Sequence, residues 1–268
     1  MCRGTHRRVV ALNLPSHGLT GVLSPCIGNL TSLRTLNLSS NGLSGNIPAS
    51  LGRLGRIRSL DLSHNTFFGM LPANLSSCTR LVAMDLGFNQ LSGHVPSEFG
   101  NKLLSLRKLT LRNNSLTGSI PSSLGNLSSL GILNLPFNQL EGMIPDSLGV
   151  LKDLWFLDLG FNKLVGEPPV SLYNLTSLEV LQIQSNMLNG SIPSDVGSKF
   201  PNMVDLVLYV NQFTGPIPIS VSNLTSLQRL DLDGNSFSGF VPRTLGRLQA
   251  LQHLGLTGNM LEAGDREG

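Results

Sequence analysis

Leu33-Arg34-Thr35-Leu36-Asn37-Leu38-Ser39-Ser40-Asn41-Gly42-Leu43-Ser44-Gly45-Asn46-Ile47-Pro48-Ala49-Ser50-Leu51-Gly52-Arg53-Leu54 reads L-x-x-L-x-L-x-x-N-x-L-x-G-x-I-P-x-x-L-G-x-L. The same pattern returns along nearly the whole chain of 268 residues. Its asparagines fall at Asn41, Asn65, Asn89, Asn114, Asn138, Asn162, Asn186, Asn211, Asn235 and Asn259, each 24 or 25 residues after the one before. His17 stands 24 residues before Asn41 in the same local context and gives an eleventh, atypical unit. A fixed period of this length marks an array in which each unit buries its apolar face only against its neighbours.

The residue types within the period dictate its geometry. L-x-L places two leucines on one side of a short strand, with the intervening residues facing the other way. Parallel strands from successive units stack at about 4.8 Å, so eleven of them extend roughly 50 Å. The asparagine lies where the chain leaves the strand, and its amide both donates and accepts, so it can bridge backbone groups that no ladder satisfies. Gly45, Gly93, Gly118, Gly142, Gly166, Gly190, Gly215 and Gly239 permit a tight turn. The Ile-Pro pairs (Ile47-Pro48, Ile120-Pro121, Ile144-Pro145, Ile192-Pro193) bury one apolar group and suit entry into a short helical turn. Two units carry one extra residue, at Phe99-Gly100-Asn101-Lys102 and Val196-Gly197-Ser198-Lys199, both in the outer segment. The expected fold is an α/β solenoid: a right-handed leucine-rich-repeat superhelix of about eleven 24-residue repeats, with a parallel concave sheet and a 3₁₀ or irregular convex side. One elongated domain over residues 9–261 is expected, with 1–8 as the remnant of an N-terminal cap and 262–268 as a ragged end.

Composition agrees and excludes several function classes. Leucine supplies 53 residues and aromatics only 5%, so aliphatic packing must carry the core. Charged residues are 13% of the chain, far from charge-driven disorder. The net charge is +3 and no Lys/Arg run exceeds Arg7-Arg8, so nucleic acid is not an expected partner. No stretch of 18 apolar residues exists, and no apolar segment follows the basic N-terminus, so neither membrane insertion by this chain nor a signal peptide within it is expected. No zinc-protease, phosphate-loop or nucleophile-elbow pattern occurs. Asp231-Leu232-Asp233-Gly234-Asn235 begins like a calcium loop, but its glycine is misplaced and its twelfth position is Pro242. No cofactor, metal or catalytic residue is therefore expected. Cys78 replaces the core leucine of other units (Leu30, Leu127) and should be a buried small hydrophobe. Cys26, on the outer segment, should be a free thiol.

The surface able to meet another molecule is the concave sheet, whose outward positions lie 6, 4, 2 and 1 residues before each asparagine. Phe88, Phe137 and Phe161 occupy the last of these, with Phe156 and Tyr209 in neighbouring columns. Asp61, Asp85, Asp158 and Asp231 share the column four before asparagine, with Arg112 and Gln184 two before. Phe88, Arg112, Phe137, Phe156, Asp158, Phe161, Gln184 and Tyr209 form the candidate ligand-binding set. Aromatic anchors flanked by charge suit an extended peptide; the alternative is that the rings are lateral cover for the strand edge. N-x-S/T sequons occur at Asn29, Asn37, Asn74, Asn113, Asn126, Asn174, Asn189 and Asn223. Asn37 and Asn113 map to the concave side, where a glycan would obstruct binding. The other six are the candidate glycosylation sites.

The L-x-G-x-I-P-x-x-L-G-x-L signature resembles the plant-specific class of these repeats, which forms the ectodomains of receptor-like kinases and receptor-like proteins. Arg8-Val9-Val10-Ala11-Leu12-Asn13-Leu14-Pro15, followed by Gly18-Leu19-Thr20-Gly21, resembles the first repeat of such ectodomains. The resemblance extends to the immune-receptor branch. It implies a ligand-recognition module in defence signalling, on the extracellular side of the plasma membrane in the parent receptor. It also implies a peptide or protein ligand, a co-receptor kinase ectodomain as partner, and a Ser/Thr kinase domain carried elsewhere in the parent. Family ectodomains pair two cap cysteines, and Cys2 stands where the second would be, so the resemblance implies that Cys2 is an orphaned cap half-cystine and that the chain is a truncated fragment. Two alternatives stay open: a secreted inhibitor resembling polygalacturonase-inhibiting proteins, and a non-functional truncated product. An uncapped end coil exposes unpaired strand groups and leucines, so the chain expressed alone is expected to aggregate. A monodisperse, cooperatively melting monomer in size-exclusion chromatography would contradict that expectation.

Overall fold

A computed structural model of the protein describes residues 2–3 and 8–262. Eleven parallel strands, each of three residues, run from Ala11–Asn13 through Ser59–Asp61, Ile132–Asn134 and Phe156–Asp158 to His253–Gly255 in sequence order. The register is one repeat per strand: Leu12 faces Leu36, which faces Leu60, with no slip between coils. The alternation that sets this register is the leucine at each strand centre. Leu36, Leu109, Leu133 and Leu157 are fully buried while both neighbours in each strand turn the other way. One continuous core of leucines runs the length of the solenoid, with Phe67, Phe213 and Phe237 substituting for leucine at the second position after the asparagine.

The ten asparagines tie the coils together. In Asn138 the amide nitrogen donates to the carbonyls of Leu135 and Pro136 in its own coil and of Leu111 in the preceding one, at 3.0–3.3 Å. Its Oδ1 accepts the N–H of Leu116 at 3.0 Å. The same four-way pattern recurs from Asn41, which donates to Leu14 and accepts from Leu19, to Asn259, which donates to Leu232 and accepts from Phe237. In the eleventh unit, with His17 in place of the asparagine, the backbone N–H donates to Asn41 Oδ1 and the ring Nδ1 bonds the carbonyl of Pro15 at 2.6 Å.

A second eleven-stranded parallel sheet follows the asparagines, from Thr20–Val22 and Gly42–Asn46 to Met260–Glu262. The expected 3₁₀ convex side is present, and this second sheet, which the sequence reading does not include, lies between it and the concave sheet along the chain. The glycine that reads as a turn sits inside an extended strand: Gly45 has φ of 82° yet pairs in register with Phe67 of the next coil, while Leu43 and Ser44 of the same strand pair with Gly21 and Val22 of the coil before. The Oδ1 bond from the next coil's asparagine holds each of these strands but the last at its start. The outer segments are five-residue 3₁₀ turns entered through a proline in extended conformation, as at Pro48 (φ −66°). In the two units with an extra residue the turn relaxes into an α-helix, Ser97–Lys102 and Val196–Lys199. The turns stack so closely that a Cβ on Gly52 would collide with the carbonyl oxygen of Asn74 in the next coil.

Cys78 is buried as expected, its thiol 3.3 Å from the carbonyl of Leu51, and burial pushes that thiol up to about 11. Cys26 is exposed and free. Cys2 and Arg3 form a short strand antiparallel to Arg8 and Val9. The cap and end expectations otherwise fall on residues outside those described. No helix among the described residues is long and apolar enough to cross a membrane.

The residue before each asparagine is left-handed throughout, with φ of 52–56° from Ser16 to Val210 and of 60° and 65° at Gly234 and Gly258. A β-branched side chain is strained there. Val210→Gly should raise stability by about 1 kcal/mol, because the side chain is already half exposed and loses little packing. Asn138→Ala should lower it by roughly 2–4 kcal/mol by orphaning buried backbone groups in two coils. Urea unfolding midpoints of the two variants against the parent chain check both signs.

Candidate functional site

The concave sheet stacks equivalent residues of successive coils into columns. Lys108, Ile132, Phe156, Val180, Asp205 and Arg229 pair in one column, and Thr110, Asn134, Asp158, Gln182, Val207 and Asp231 in the next. At the exit of each strand lies the left-handed column that holds Phe88, Phe137 and Phe161. Those rings therefore stand on the rim where the chain turns away, and the strand face itself carries Phe156, Asp158 and, two before asparagine, Arg112, Gln184 and Tyr209.

The candidate residues gather into two neighbouring groups. In the first, His64 stacks on Phe88 with ring centroids 4.1 Å apart, and the Arg112 guanidinium lies 4.8 Å over the same ring. Beside them a shallow depression of about 350 Å³ is lined by Asp85, Lys108, Thr110, Asn134, Trp155 and Phe156. An ion pair of 3.0 Å joins Lys108 to Asp85 across two coils. In the second group Phe137 stacks on Phe161 at 4.1 Å, and Tyr209 meets Phe161 edge-on at 6.3 Å. Phe137 keeps 43% of its surface exposed even so. Gln184 is buried against Gly160, whose missing side chain makes its room. Thr110, Asn134, Lys108, His64 and Trp155 belong to this surface and are absent from the sequence-derived set. Thr110 and Asn134 share the Asp158 column and were legible by register, whereas Trp155 precedes its strand by one residue and gives no such signal.

Polar satisfaction sets this face apart. Among the described residues, the buried side-chain atoms with no hydrogen-bond partner in the protein are Thr110 Oγ1, Arg112 Nε, Asn134 Oδ1, Gln184 Oε1 and Arg229 Nε. All five lie on the concave columns. Buried polar groups are nearly always paired, and these exceptions are grouped on one surface. No group of residues able to hold a metal occurs among the described residues.

Asp158 is 8% exposed, and burial pushes its carboxyl up to about 6 against the opposing pull of the Gly160 N–H, 3.0 Å away, and of Arg112. Its folded state holds the proton more tightly than the unfolded chain. Stability from this group is therefore full below about pH 4 and is lost as the pH rises through about 6. Asp158→Asn should raise stability at pH 7 by roughly 1–3 kcal/mol and flatten its change between pH 4 and 7. Melting temperatures of both proteins across that range test this; parallel profiles would contradict it.

The repeat is matched by sequence families described as "Leucine-rich repeat region", over residues 56–197, and "Leucine rich repeat", over residues 7–67 and 201–261. A search of curated proteins gives no match. Among solved structures the chain is similar to the ectodomain of the Arabidopsis receptor kinase HAESA in complex with an N-terminally extended IDA peptide hormone: 36% identity, TM-score 0.88, covering 97% of this chain and 44% of that one. It is similar to the plant peptide hormone receptor RGFR1 in complex with RGF2, with 32% identity, TM-score 0.84 and coverage of 94% and 44%. A plant ice-binding protein shares 28% identity and a TM-score of 0.80, over 99% of this chain and 87% of that one. The chain thus spans less than half the length of the two receptor ectodomains. With its repeat matched over more than half of its residues and its coils superposable on those ectodomains, the chain belongs to the leucine-rich-repeat family.

Proposed function

We propose that this chain is a ligand-recognition module that holds an extended peptide along its concave face, as part of a plant receptor kinase ectodomain in defence signalling. The observation that carries the reading is the set of five unpartnered polar atoms, all on that face and interleaved with the aromatic rim. An extended peptide offers apolar side chains for the stacked rings, of which Phe137 is 43% exposed, and backbone donors and acceptors for the five covered atoms once their side chains turn outward. The ice-binding protein shares the scaffold but another use, so the assignment rests on these side chains and not on the fold.

The similar receptor structures supply the rest of the reading. HAESA and RGFR1 are described as bound to peptide hormones, and one HAESA structure also contains the co-receptor SERK1, with 26% identity and a TM-score of 0.51 to this chain. By that likeness the parent of this chain stands in the plasma membrane with the repeats outside, engages a co-receptor ectodomain, and signals through a kinase domain elsewhere in its sequence. Asn29, Asn74, Asn126, Asn174, Asn189 and Asn223 are all exposed and off the concave sheet, and they accept glycans in this setting. Expression in a secreting plant or insect cell should give a ladder of mass losses on treatment with peptide N-glycosidase.

Panning a random-peptide display library against the chain tests the recognition role. Selected peptides should lose at least tenfold in affinity for the variant carrying Phe137→Ala and Phe161→Ala, and for Arg112→Ala. They should keep their affinity for Val170→Ala on the outer turns. Equal capture by all the variants would end the reading.

A further inference from the structure

The formal charge of +3 conceals a segregation along the solenoid. Residues 1–112 hold 12 Lys/Arg against 3 Asp/Glu, and residues 113–268 hold 7 against 13, so a net +9 is followed by a net −6. No acidic residue occurs before Asp61. Sequence inspection for consecutive basic residues misses this, because the arginines are brought together by the repeat rather than by adjacency.

The repeat places them in columns. Arg34 and Arg58 hold equivalent positions just before their strands, with the Arg58 N–H donating to the Arg34 carbonyl at 2.7 Å. Arg56 and Arg80 are equivalent to each other two residues earlier, and Arg53 closes the 3₁₀ turn Ala49–Arg53 beside them. Together with Thr31 and Gly55 these five arginines line a recess of about 440 Å³ on the flank where the outer turns return to the concave sheet. All five are exposed. The ion pairs among the described residues use Lys108, Lys199, Arg229 and His253, and none of these five. Arg53 makes one long bond, 3.5 Å, to the carbonyl of Pro25. Five like charges collected without a counter-charge in the protein repel one another, and a bound anion relieves that repulsion.

The lining also specifies what kind of anion. It offers guanidinium forks, one hydroxyl and backbone, and no apolar side chain. A peptide gains most of its affinity from buried apolar and aromatic anchors, and this recess has no place for one. Each fork pairs two-pronged with a single oxyanion group, so five forks call for several such groups on one molecule. The arginine columns repeat at the coil spacing of about 4.8 Å, which suits a regular chain with an oxyanion on successive units. We infer that the Arg34–Arg53–Arg56–Arg58–Arg80 flank is a binding site for a polyanionic polysaccharide, separate from the peptide-binding concave face and independent of that assignment.

Dextran sulfate is a suitable probe, titrated into the 268-residue chain by calorimetry at 150 mM salt with neutral dextran as the blank. Arg56→Gln with Arg58→Gln should weaken binding at least tenfold. Lys152→Gln with Arg247→Gln, which removes the same charge elsewhere, should change it less than twofold. Arg34→Gln with Arg80→Gln, which should match the first pair, is the replacement if far-UV circular dichroism shows that pair to be unfolded. Equal losses from the flank and control pairs would mean that net charge alone is read, and would overturn the site. Unchanged binding in the flank variants would overturn it too. Poly-glutamate binding as tightly as dextran sulfate, or inorganic sulfate matching it per sulfate group, would overturn the polysaccharide assignment in favour of an acidic peptide or a free ion.

Discussion

Every coil of this molecule leaves a turn behind its strand in which backbone carbonyls and amides face inward with no ladder to join. Burying them unpaired would cost on the order of 1–3 kcal/mol each. One asparagine per coil removes the problem, because a primary amide is the smallest side chain that both donates twice and accepts. It gathers three carbonyls and one N–H from two successive coils, as Asn65 does with Leu38, Leu62, Ser63 and Leu43. These partners are all backbone groups. The outward residues are consequently released from any structural duty in the ladder, and the concave columns can hold Phe, Asp, Arg or Gly without changing how the coils stack.

That freedom has a boundary at the rim. The residue before each asparagine must take φ near 55°, where glycine is at ease and other residues are not. Gly234 and Gly258 accept the geometry, whereas Phe88, Phe137, Phe161 and Val210 adopt it against their preference. The phenylalanines recover part of the difference by stacking on the equivalent residue one coil away, His64 on Phe88 and Phe137 on Phe161. Lateral cover and ligand contact are thus compatible roles for the same rings, since Phe137 is stacked on one face and open on the other.

The architecture was legible in the sequence to an unusual depth because a repeat states its own register. The strand positions, the role of the asparagines, the proline entry to the outer turns and the burial of Cys78 all follow from Leu33–Leu54 read against its copies. The second sheet was not legible, since Gly45 and its equivalents look like turn residues and only the inter-coil bond from the following asparagine shows that they lie in strands. Within the candidate site, the columns could be written down in advance but burial could not. Asp158 and Gln184 were expected as outward groups and are more than nine-tenths covered by their neighbours. The arginine flank escaped for a related reason: Arg34, Arg58 and Arg80 are distant in the chain and meet only through the 24-residue period.

The ladder bonds that join one coil to the next reach 22 to 28 residues along the chain, so the ladder ties each coil only to the one before and the one after. Such an object has no central knot whose failure releases everything. Drawn out by its two ends, it would come apart as a ribbon unwinds from a spool, shedding one loop of roughly 80 Å contour at each yield. A tether of this kind lengthens under tension while its remaining loops keep their shape.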